Sequence, residues 1–343
     1  MNKDQPRLAI NLVTYNAEKY LPFCLPSVLN QTLKDFSFLV IDNGSSDNTL
    51  SHLAENYPQV RVVSYPKNLG FAKTHNQAIA WSKTDYLALL NQDVILEPDY
   101  FEKVVSYLDG HLEAAAVGGK ILRWDFGTNS RTKYIDSLGL LVFKNHRVVE
   151  IGQGEIDKGQ YNEVKEVFGL SGALPTFRRQ VLEKIKVSLP KNFSRQEYFD
   201  EDFFAYKEDV DLAFRLRLAG FKSFYLPEAV AYHDRSVKGP RDLSDRAVRK
   251  SRSRKDKMVK AYSYKNHLLM LFKNEFKRNL IRFGWPICWY EFKKLAFIFL
   301  FEQSTIRGLK MFLKQKKKNK LKRKYIYKNL VKVKPNDLAK WYE

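Results

Sequence analysis

Short apolar runs alternate with longer segments of helical period through the first hundred or so residues. The apolar runs read "LAINLVTY", "FSFLVID", "VRVVSY" and "DYLALLN". The segments of helical period lie between them, at residues 17–31, 47–56, 70–82 and 98–108. This alternation is typical of right-handed βαβ units and a parallel sheet. The predicted fold class is therefore α/β, with a mostly parallel sheet flanked by helices.

The next part of the chain is less regular. Residues 109–170 are rich in glycine and predict an insertion on the C-terminal side of the sheet, with a strand pair around 137–152. Residues 203–222 have helical spacing, and Gly220 is suited to end this helix. Acidic residues of its first turn would interact favourably with the helix dipole. They are Glu208, Asp209 and Asp211.

Charge is distributed unevenly along the 343 residues, whose net charge is +21. Residues 1–234 contain 27 Lys and Arg against 30 Asp and Glu, whereas residues 235–343 contain 32 against 8. A mildly acidic body with a strongly basic C-terminal third predicts that this third meets an anionic surface, either phospholipid or nucleic acid.

Cysteine content and the N-terminus favour a cytoplasmic protein. Only Cys24 and Cys288 are present, so the sequence contains neither a disulfide framework nor a cysteine pair at zinc-ligand spacing. The N-terminus runs from polar residues directly into a predicted strand and lacks the apolar region of a signal peptide.

Polar or turn-forming residues follow each of the four predicted strands. In an open parallel sheet, ligands bind outside the carboxyl ends of the strands. Each residue alone is also typical of an ordinary turn or helix cap. The candidates are Thr14, Tyr15, Asn16, Asp42, Asn43, Asn68, Gly70, Phe71, Asn91 and Asp93.

As an ordered set, these strand ends resemble the family 2 glycosyltransferases with the GT-A fold. The resemblance covers about residues 7–235 and continues through three later segments. These read "LSGALPTFRRQVLEKI", "EYFDEDFFAYKEDVDLAFRLRLAGF" and "PEAVAYHDRS". The sequence is most similar to the rhamnosyltransferase-like branch that builds bacterial surface polysaccharide. A later segment, "AYSYKNHLLMLFKN", resembles that branch's Tyr-x-x-(Arg/Lys)-Asn motif.

The resemblance implies a nucleotide-diphosphate sugar as donor. Asp42 would accept a hydrogen bond from the imide N–H of the base, which favours uridine or thymidine over cytosine. The remaining donor contacts are implied by position: Thr14, Tyr15 and Asn16 around the base and ribose, and Asn68, Gly70 and Asn76 near the ribose and diphosphate. Lys73 is equally consistent with a solvated surface residue and is not assigned to the site.

A divalent metal ion is also implied by the resemblance. Asp93 would bind Mg²⁺ or Mn²⁺, because hard cations prefer oxygen ligands, and His233 would be a further ligand. Asn91 stands where the family motif has a first Asp, so one charge is missing and we expect modest metal affinity. A packed or surface histidine is the alternative for His233.

For the reaction, the resemblance assigns the general base to Asp209. Glu208 would orient an acceptor or raise the pKa of Asp209 by like-charge proximity. Gly172 and Ala173 lie in the segment that resembles the acceptor loop. The alternative is that the acids only satisfy a helix N-terminus. For Arg215, an ion pair with Asp211 is preferred to a phosphate contact.

The basic C-terminal region mixes aromatic and aliphatic residues with lysine. Its apolar run, Leu295–Phe301, is too short to span a bilayer, so we predict that the region lies on an anionic membrane surface where lipid-linked acceptors are presented. The alternative is a helical pair packed on the body. The predicted domains are a glycosyltransferase domain at 1–235, with halves 1–110 and 111–235, and a helical extension at 236–343.

The sequence therefore predicts an inverting, metal-dependent sugar transferase, peripheral at the inner face of the plasma membrane, with a glycan or lipid-linked acceptor. Two alternatives stay open. One is a nucleic-acid-binding protein, which the acidic body argues against. The other is a nucleotide-sugar-binding protein without catalysis, suggested by Asn91. A dinucleotide-dependent dehydrogenase is disfavoured because no Gly-x-Gly-x-x-Gly follows the first strand.

Overall fold

The computed structural model describes residues 5–188, 196–234 and 256–343. The strands are β1 (Leu8–Thr14), β2 (Phe36–Asp42), β3 (Arg61–Ser64), β4 (Tyr86–Asn91), β5 (Val94–Leu96), β6 (Ala114–Asp125), β7 (Ser130–Ser137), β8 (Leu140–Val142), β9 (Val148–Glu150), β10 (Lys165–Val167), β11 (Thr176–Arg178), β12 (Val187–Ser188), β13 (Gln196–Glu197) and β14 (Lys222–His233). The α-helices are α1 (Leu21–Leu29), α2 (Thr49–Asn56), α3 (Phe71–Trp81), α4 (Tyr100–Gly110), α5 (Arg179–Ile185), α6 (Glu208–Leu218), α7 (Lys257–Asn274), α8 (Lys277–Arg282), α9 (Gly284–Phe301), α10 (Ile306–Asn329) and α11 (Pro335–Ala339). Short 3₁₀ helices occupy Glu201–Phe203 and Gln303–Thr305.

The main sheet has the strand order β10-β14-β6-β11-β4-β1-β2-β3. Strands β1, β2, β3 and β4 are parallel to one another, as predicted, so their carboxyl ends share one edge. β11 runs antiparallel between β4 and β6. The strand ends singled out in the sequence therefore meet at one edge of the sheet.

Helices cover both faces of this sheet, which explains why β1 is buried along almost its whole length. One apolar cluster packs α1 and α4 against one face of β1 and β4. A second cluster packs α3, α5 and α6 against the other face. The central strands are thus held rigidly, and their polar ends project from a fixed frame.

The structure differs in detail from two predictions, the insertion at residues 109–170 and the helix at residues 203–222. The segment predicted as an insertion contributes β6, a long strand of the main sheet, besides the predicted strand pair, which is the β8–β9 hairpin. The predicted 203–222 helix begins only at Glu208 and ends at Leu218. Backbone φ is positive at Phe204, Tyr206 and Lys207, which breaks any continuous right-handed helix through this stretch.

The C-terminal helices pack on the body of the protein. An apolar cluster combines residues of β8 and α6 with residues of α7, α10 and α11, so the predicted boundary at residue 235 does not separate two cores. The basic stretch 235–255 lies outside the described residues. None of the helices in the described ranges is both long and apolar enough to cross a membrane.

Candidate active site

Polar residues of four strand ends lie together at the carboxyl edge of the sheet. We call this set the strand-end site and define it as residues 14–16, 42–46, 68–70 and 91–93. Asp42 and Thr14 are adjacent across β1 and β2, since the Thr14 hydroxyl donates to Asp42 Oδ1 over 3.2 Å. Both side chains are fully buried.

Asp42 is held by donors from its own loop. The backbone N–H groups of Gly44 and Ser45 donate to its Oδ2 over 3.2 and 3.0 Å, and the Ser45 hydroxyl contacts its Oδ1. With Thr14, four donors face this carboxylate. A base imide would therefore have to replace one of them, and the Ser45 hydroxyl can rotate away most easily.

Asn43 and Asn68 connect the loops after β2 and β3. The Asn43 amide donates to Asn68 Oδ1 over 3.1 Å, and Asn68 Oδ1 also accepts from the Gly70 N–H over 2.8 Å. Gly70 has a φ of +84°, and a Cβ there would meet the ring and carbonyl of Phe204. The group that closely approaches Gly70 in this structure is therefore Phe204.

The end of β1 is joined to the end of β4. Gln92 Oε1 accepts from the Tyr15 N–H over 2.7 Å, and the Gln92 amide donates to the Tyr15 carbonyl over 3.2 Å. Asn16, at φ +51°, accepts from the Ser46 N–H over 2.8 Å. The Tyr15 side chain is 46% exposed, so its ring is available to stack on a ligand.

Asn76 and Phe71, two predicted donor contacts on α3, both contact the segment around residue 199. Asn76 is buried, and its amide donates to the Phe199 carbonyl over 2.8 Å while its oxygen accepts from the Phe199 N–H over 2.7 Å. Phe71 packs against His75 and Phe199. Both residues therefore join α3 to the segment around residue 199. The Asn76 amide is engaged there at both ends, whereas Phe71 is half-buried.

His233 and Asp93 are in direct contact. His233 Nε2 lies 3.2 Å from Asp93 Oδ1, and His233 Nδ1 lies 2.9 Å from Asp136 Oδ2. Burial alone would lower the pKa of His233, but the charges and hydrogen bonds of Asp93 and Asp136 outweigh burial and raise it to about 10. In the absence of a cation, His233 is thus an imidazolium between two carboxylates.

The Asp93 and His233 side chains fit a divalent cation whose coordination is completed by oxygens of a bound ligand. Adjacent ligands of a cation bound at about 2.1 Å lie about 3 Å apart, which matches the Asp93 to His233 spacing. Asp136 fixes Nδ1 of His233, as outer carboxylates commonly do for metal-binding histidines. Within the described ranges no group of three or more His, Cys, Asp or Glu side chains is arranged to hold a metal ion. Asp93 and His233 would therefore share the cation with diphosphate oxygens.

Asp209, in the first turn of α6, lies beside the predicted acceptor loop. The Gly172 N–H donates to Asp209 Oδ2 over 3.0 Å. The adjacent Ala173 carbonyl accepts from the Asn91 N–H over 2.9 Å. One loop therefore contacts both the candidate base and the strand-end site, and residues predicted from separate parts of the chain are brought together.

Glu208, beside Asp209, is 6% exposed, and its Oε2 has no hydrogen-bond partner in the described parts of the chain. Burial, followed by the nearby charge of Asp209, raises the pKa of Glu208 well above its usual range. The site therefore favours the protonated form of Glu208 more than an exposed position would.

Acidic residues just before α6 form buried ion pairs with the C-terminal helices. We call residues 197–211 the acid segment. Lys322 of α10 has its Nζ 2.6 Å from Glu197 and 2.9 Å from Asp202, and it also contacts Asp200. Lys322 is fully buried. Its charge is therefore compensated inside the protein and is not available to an external anion.

A second buried cation meets the same segment from α7. Lys273 Nζ contacts Asp200 and lies 2.7 Å from Asp211. Arg215 Nε lies 3.1 Å from Asp211 Oδ2, which confirms the predicted ion pair. Burial would raise the pKa of Asp200, but Lys273 and Lys322 outweigh burial and hold it well below its usual range.

The helix α9 presents apolar side chains to solvent. Only Ile298 of this helix is buried. Trp285 and Trp289 stack at a centroid distance of 6.3 Å, and Trp289 stacks on Phe292 at 6.0 Å. The exposed large apolar residues of this helix are Trp285, Trp289, Phe292, Phe299, Leu300 and Phe301.

Sequence reasoning missed several residues with clear structural roles. Gln92 had a signal, since it lies between two predicted site residues. Asp136 had none, because it comes from a region without motifs and reaches His233 only through the pairing of β7 with β6. Lys322 lies in a lysine-rich run whose buried and exposed members the sequence does not distinguish.

Among known proteins, the chain is similar to an uncharacterized glycosyltransferase of Haemophilus influenzae, with 34% identity over 116 residues that cover 33% of this chain and 36% of that protein. It is 27% identical to the N-acetylglucosaminyl-diphospho-decaprenol L-rhamnosyltransferase of Mycobacterium tuberculosis over 256 residues, which cover 68% of this chain and 78% of that protein. An Escherichia coli chondroitin synthase is 36% identical over 118 residues, 34% of this chain and 17% of that protein. Against the first and third of these, the chain matches about a third or less of the relative's length.

Two solved structures share the fold. GalNAc-T7, solved with UDP, GalNAc and Mn²⁺, superposes with a TM-score of 0.58 at 12% identity, covering 81% of this chain and 49% of that one. S. aureus TarS 1-349 superposes with a TM-score of 0.52 at 15% identity, covering 98% and 89%. The fold is thus of the GT-A type. The model of the family described as "Glycosyl transferase family 2" matches residues 10–186, more than half of the chain. The chain belongs to glycosyl transferase family 2.

Proposed function

We propose that this protein is an inverting glycosyltransferase that moves a sugar from a UDP- or dTDP-sugar to a glycan or lipid-linked acceptor in surface polysaccharide synthesis. The observation that carries the proposal is the loop at Gly172 and Ala173, which contacts Asp209 on one side and Asn91 on the other. A carboxylate suited to proton transfer is therefore joined to the site where a nucleotide diphosphate would bind.

Asp209 is the general base of the proposed reaction. It takes the proton of the acceptor hydroxyl while that oxygen forms a bond to the anomeric carbon. The bond from this carbon to the diphosphate breaks on the opposite side, the diphosphate leaves with the electron pair, and the configuration inverts. The Gly172 N–H fixes one oxygen of Asp209, and burial favours the protonated form of the neighbouring Glu208.

Asp93 and His233 would hold Mg²⁺ or Mn²⁺, with Asp136 orienting the histidine. Such a cation, when bound, stabilises negative charge that develops on a leaving diphosphate. Asn91 contributes no charge, so the donor's own oxygens complete the ligand set and we expect metal and donor to bind together.

Asp42 supports a uridine or thymidine donor, because its carboxylate can accept from a base imide once the Ser45 hydroxyl turns away. Rhamnose is the sugar we propose, on the strength of the Mycobacterium tuberculosis relative, which is named an L-rhamnosyltransferase. This assignment is tested by comparing dTDP-rhamnose with other nucleotide sugars as donors.

The first test is calorimetric titration of the purified protein with UDP, dTDP, GDP and NAD, each with Mn²⁺ and then with EDTA. We expect binding of UDP or dTDP that depends on Mn²⁺. Absence of any diphosphate binding would reject the proposed site. Metal-dependent binding without turnover of any nucleotide sugar would instead favour the alternative of a nucleotide-sugar-binding protein without catalysis.

We further propose that the protein is peripheral at the inner face of the plasma membrane, with α9 as the contact. Its exposed Trp285 and Trp289 are suited to the headgroup region of a bilayer, where aromatic side chains are favourable, and Lys293 adds positive charge on the same helix. A nucleic-acid partner is less favoured, because buried ion pairs with the acid segment already neutralise Lys273 and Lys322.

Co-sedimentation with anionic and neutral liposomes tests this contact. We expect the double variant Trp285→Ser/Trp289→Ser to lose most of its pelleting with anionic liposomes. Leu112→Ser is the matched control, since Leu112 is 82% exposed elsewhere on the surface. Pelleting that is equal in the double variant and in wild type would exclude α9 as the membrane contact.

A further inference from the structure

One face of α7 is directed at the backbone that leads into α6. Tyr262, Lys265 and Asn266 are spaced i, i+3 and i+4, so they share that face. These are the residues of the Tyr-x-x-Lys-Asn motif, to which the proposed reaction assigns no role. The Tyr262 ring stacks on Phe204 at 5.2 Å, and Lys265 Nζ contacts the Asp202 carbonyl. All three motif residues therefore contact the acid segment.

Asn266 makes the most specific of these contacts. Its side-chain amide nitrogen lies 3.0, 2.8 and 2.6 Å from the carbonyl oxygens of Phe203, Ala205 and Tyr206, so its two N–H hydrogens are shared among three acceptors. Asn266 is fully buried, and its Oδ1 has no hydrogen-bond partner within the described residues. The side chain is thus used as a donor, since a carboxylate or a flipped amide would place oxygen against three carbonyl oxygens.

The backbone that Asn266 holds is strained. Phe204, Tyr206 and Lys207 have φ values of +64°, +72° and +67°, which side chains other than glycine rarely adopt and which persist only when surrounding contacts hold them. Lys207 directly precedes Glu208, the first residue of α6. The left-handed turns bring the three carbonyls to one point, where a single amide can bond them all.

We propose that Asn266 is a positioning residue for Asp209: it fixes the strained 203–207 backbone and thereby sets where α6 begins and where the Asp209 carboxylate lies. This inference rests on the proposed role of Asp209 as base. It also gives the C-terminal region a role in catalysis apart from any membrane contact. The remaining two motif residues support the same backbone by stacking and by a charged hydrogen bond.

The test compares Asn266→Ala and Asn266→Asp with Asn279→Ala in the full-length protein. Asn279 is a matched control, since it is also fully buried and its amide donates to Glu275 Oε1 and to the Pro335 carbonyl, away from the strained backbone. The measurements are hydrogen exchange of the peptide covering residues 203–211, the melting temperature, and kcat and KM for the donor.

We expect both Asn266 variants to exchange faster at 203–211 and to lose kcat by about tenfold to a hundredfold, because small displacements of a reacting group have effects of this size. The donor KM should stay at its wild-type value. Asn279→Ala should lower the melting temperature while leaving this exchange and kcat unchanged. Asn266→Asp, which keeps the volume, should be at least as impaired as Asn266→Ala.

Unchanged exchange at 203–211 in the Asn266 variants would overturn the inference, whatever their activity. Faster exchange with wild-type kcat would overturn it as well, since the backbone would then be held without consequence for the reaction. A wild-type protein that binds donor but transfers no sugar would reject the proposed function instead, and the exchange measurement would still decide whether Asn266 fixes this backbone.

Discussion

The strand-end site and the acid segment are both rich in carboxylates and amides, yet they are built differently. At the strand-end site, Asp42 is bonded by Ser45, three residues away, and by Thr14, 28 residues away. In the acid segment, Asp200 is bonded by Lys322, 122 residues away. The first site is formed by loops of one sheet edge, whereas the second depends on helices that follow much later in the chain.

This difference suits the strand-end site to ligand binding and the acid segment to holding the chain in place. At the strand-end site, the proposed donor would replace existing hydrogen bonds, such as that of the Ser45 hydroxyl to Asp42. Two of the cations that pair with the acid segment, Lys273 and Lys322, are fully buried, so the carboxylates that they contact hold the chain together. Asp209 connects the two, since it belongs to the acid segment and its Oδ2 accepts from Gly172, whose loop also contacts Asn91.

The largest effect is expected from Lys322→Met. Removing this ammonium takes a paired cation from the buried carboxylates of Glu197 and Asp200, and breaking buried pairs of this kind costs about 3–5 kcal/mol. The free energy of unfolding from urea denaturation measures it. Lys320→Met, on the exposed side of the same helix, is the control and should be near wild type. Equal stability of both variants would show that Lys322 is not essential to the acid segment.

Asp209→Asn should lower kcat by about 10²–10⁴-fold, the usual contribution of a general base, because the amide cannot take the acceptor proton. Binding of UDP or dTDP should be retained, since Asp209 is outside the strand-end site. Initial rates and calorimetry measure both. Asp99→Asn, at a surface pair with Lys103, should behave as wild type. Substantial turnover in Asp209→Asn would require another base.

Asp136→Asn tests the metal site that we propose at Asp93 and His233. The amide still accepts from His233 Nδ1 but carries no charge, and loss of such outer partners lowers metal affinity by about 10–100-fold. Mn²⁺ titration followed by electron paramagnetic resonance measures this without turnover. Asp125→Asn, an exposed residue at the far end of β6, is the control. An unaltered Mn²⁺ affinity would argue that His233 does not bind the metal.

Thr14→Val should have the smallest effect. It removes one hydrogen bond to Asp42 while keeping the side-chain volume, which costs about 0.5–1.5 kcal/mol. Affinity for UDP or dTDP should fall by about tenfold or less, as that energy implies. Thr84→Val is the control, since its hydroxyl donates to the Tyr86 carbonyl at the start of β4. Equal loss of nucleotide affinity in both variants would mean that Thr14 acts only through stability.

Hydrophobic periodicity was enough to predict the parallel strands and most flanking helices, because β1 and β4 are short apolar runs bounded by polar residues. It predicted the position of Asp209 in the first turn of α6, since the acidic residues and Gly220 mark that helix at both ends. It could not predict the break at 204–207, where local helical spacing is overridden by contacts from Asn266 and Tyr262.

The roles of individual site residues were harder to predict than their clustering. Asn76 has a side chain and a position in the sequence that suit a ligand contact. In the structure, however, its amide nitrogen and oxygen both form hydrogen bonds with the backbone of Phe199. Glu208 and Asp209 are adjacent and similar, yet burial raises the pKa of Glu208. Pairing across elements distant in sequence decides such cases, and a single sequence does not report it.

The sequence by itself determined the α/β class, the shared edge of the strand ends and the separation of an acidic body from a basic C-terminal region, because these follow from local periodicity and composition. Only the tertiary structure decided which lysines of that region are buried and which apolar residues stay exposed on α9. Burial in this region depends on which face of each helix meets the acid segment, and that face is set by packing between elements more than a hundred residues apart in the chain.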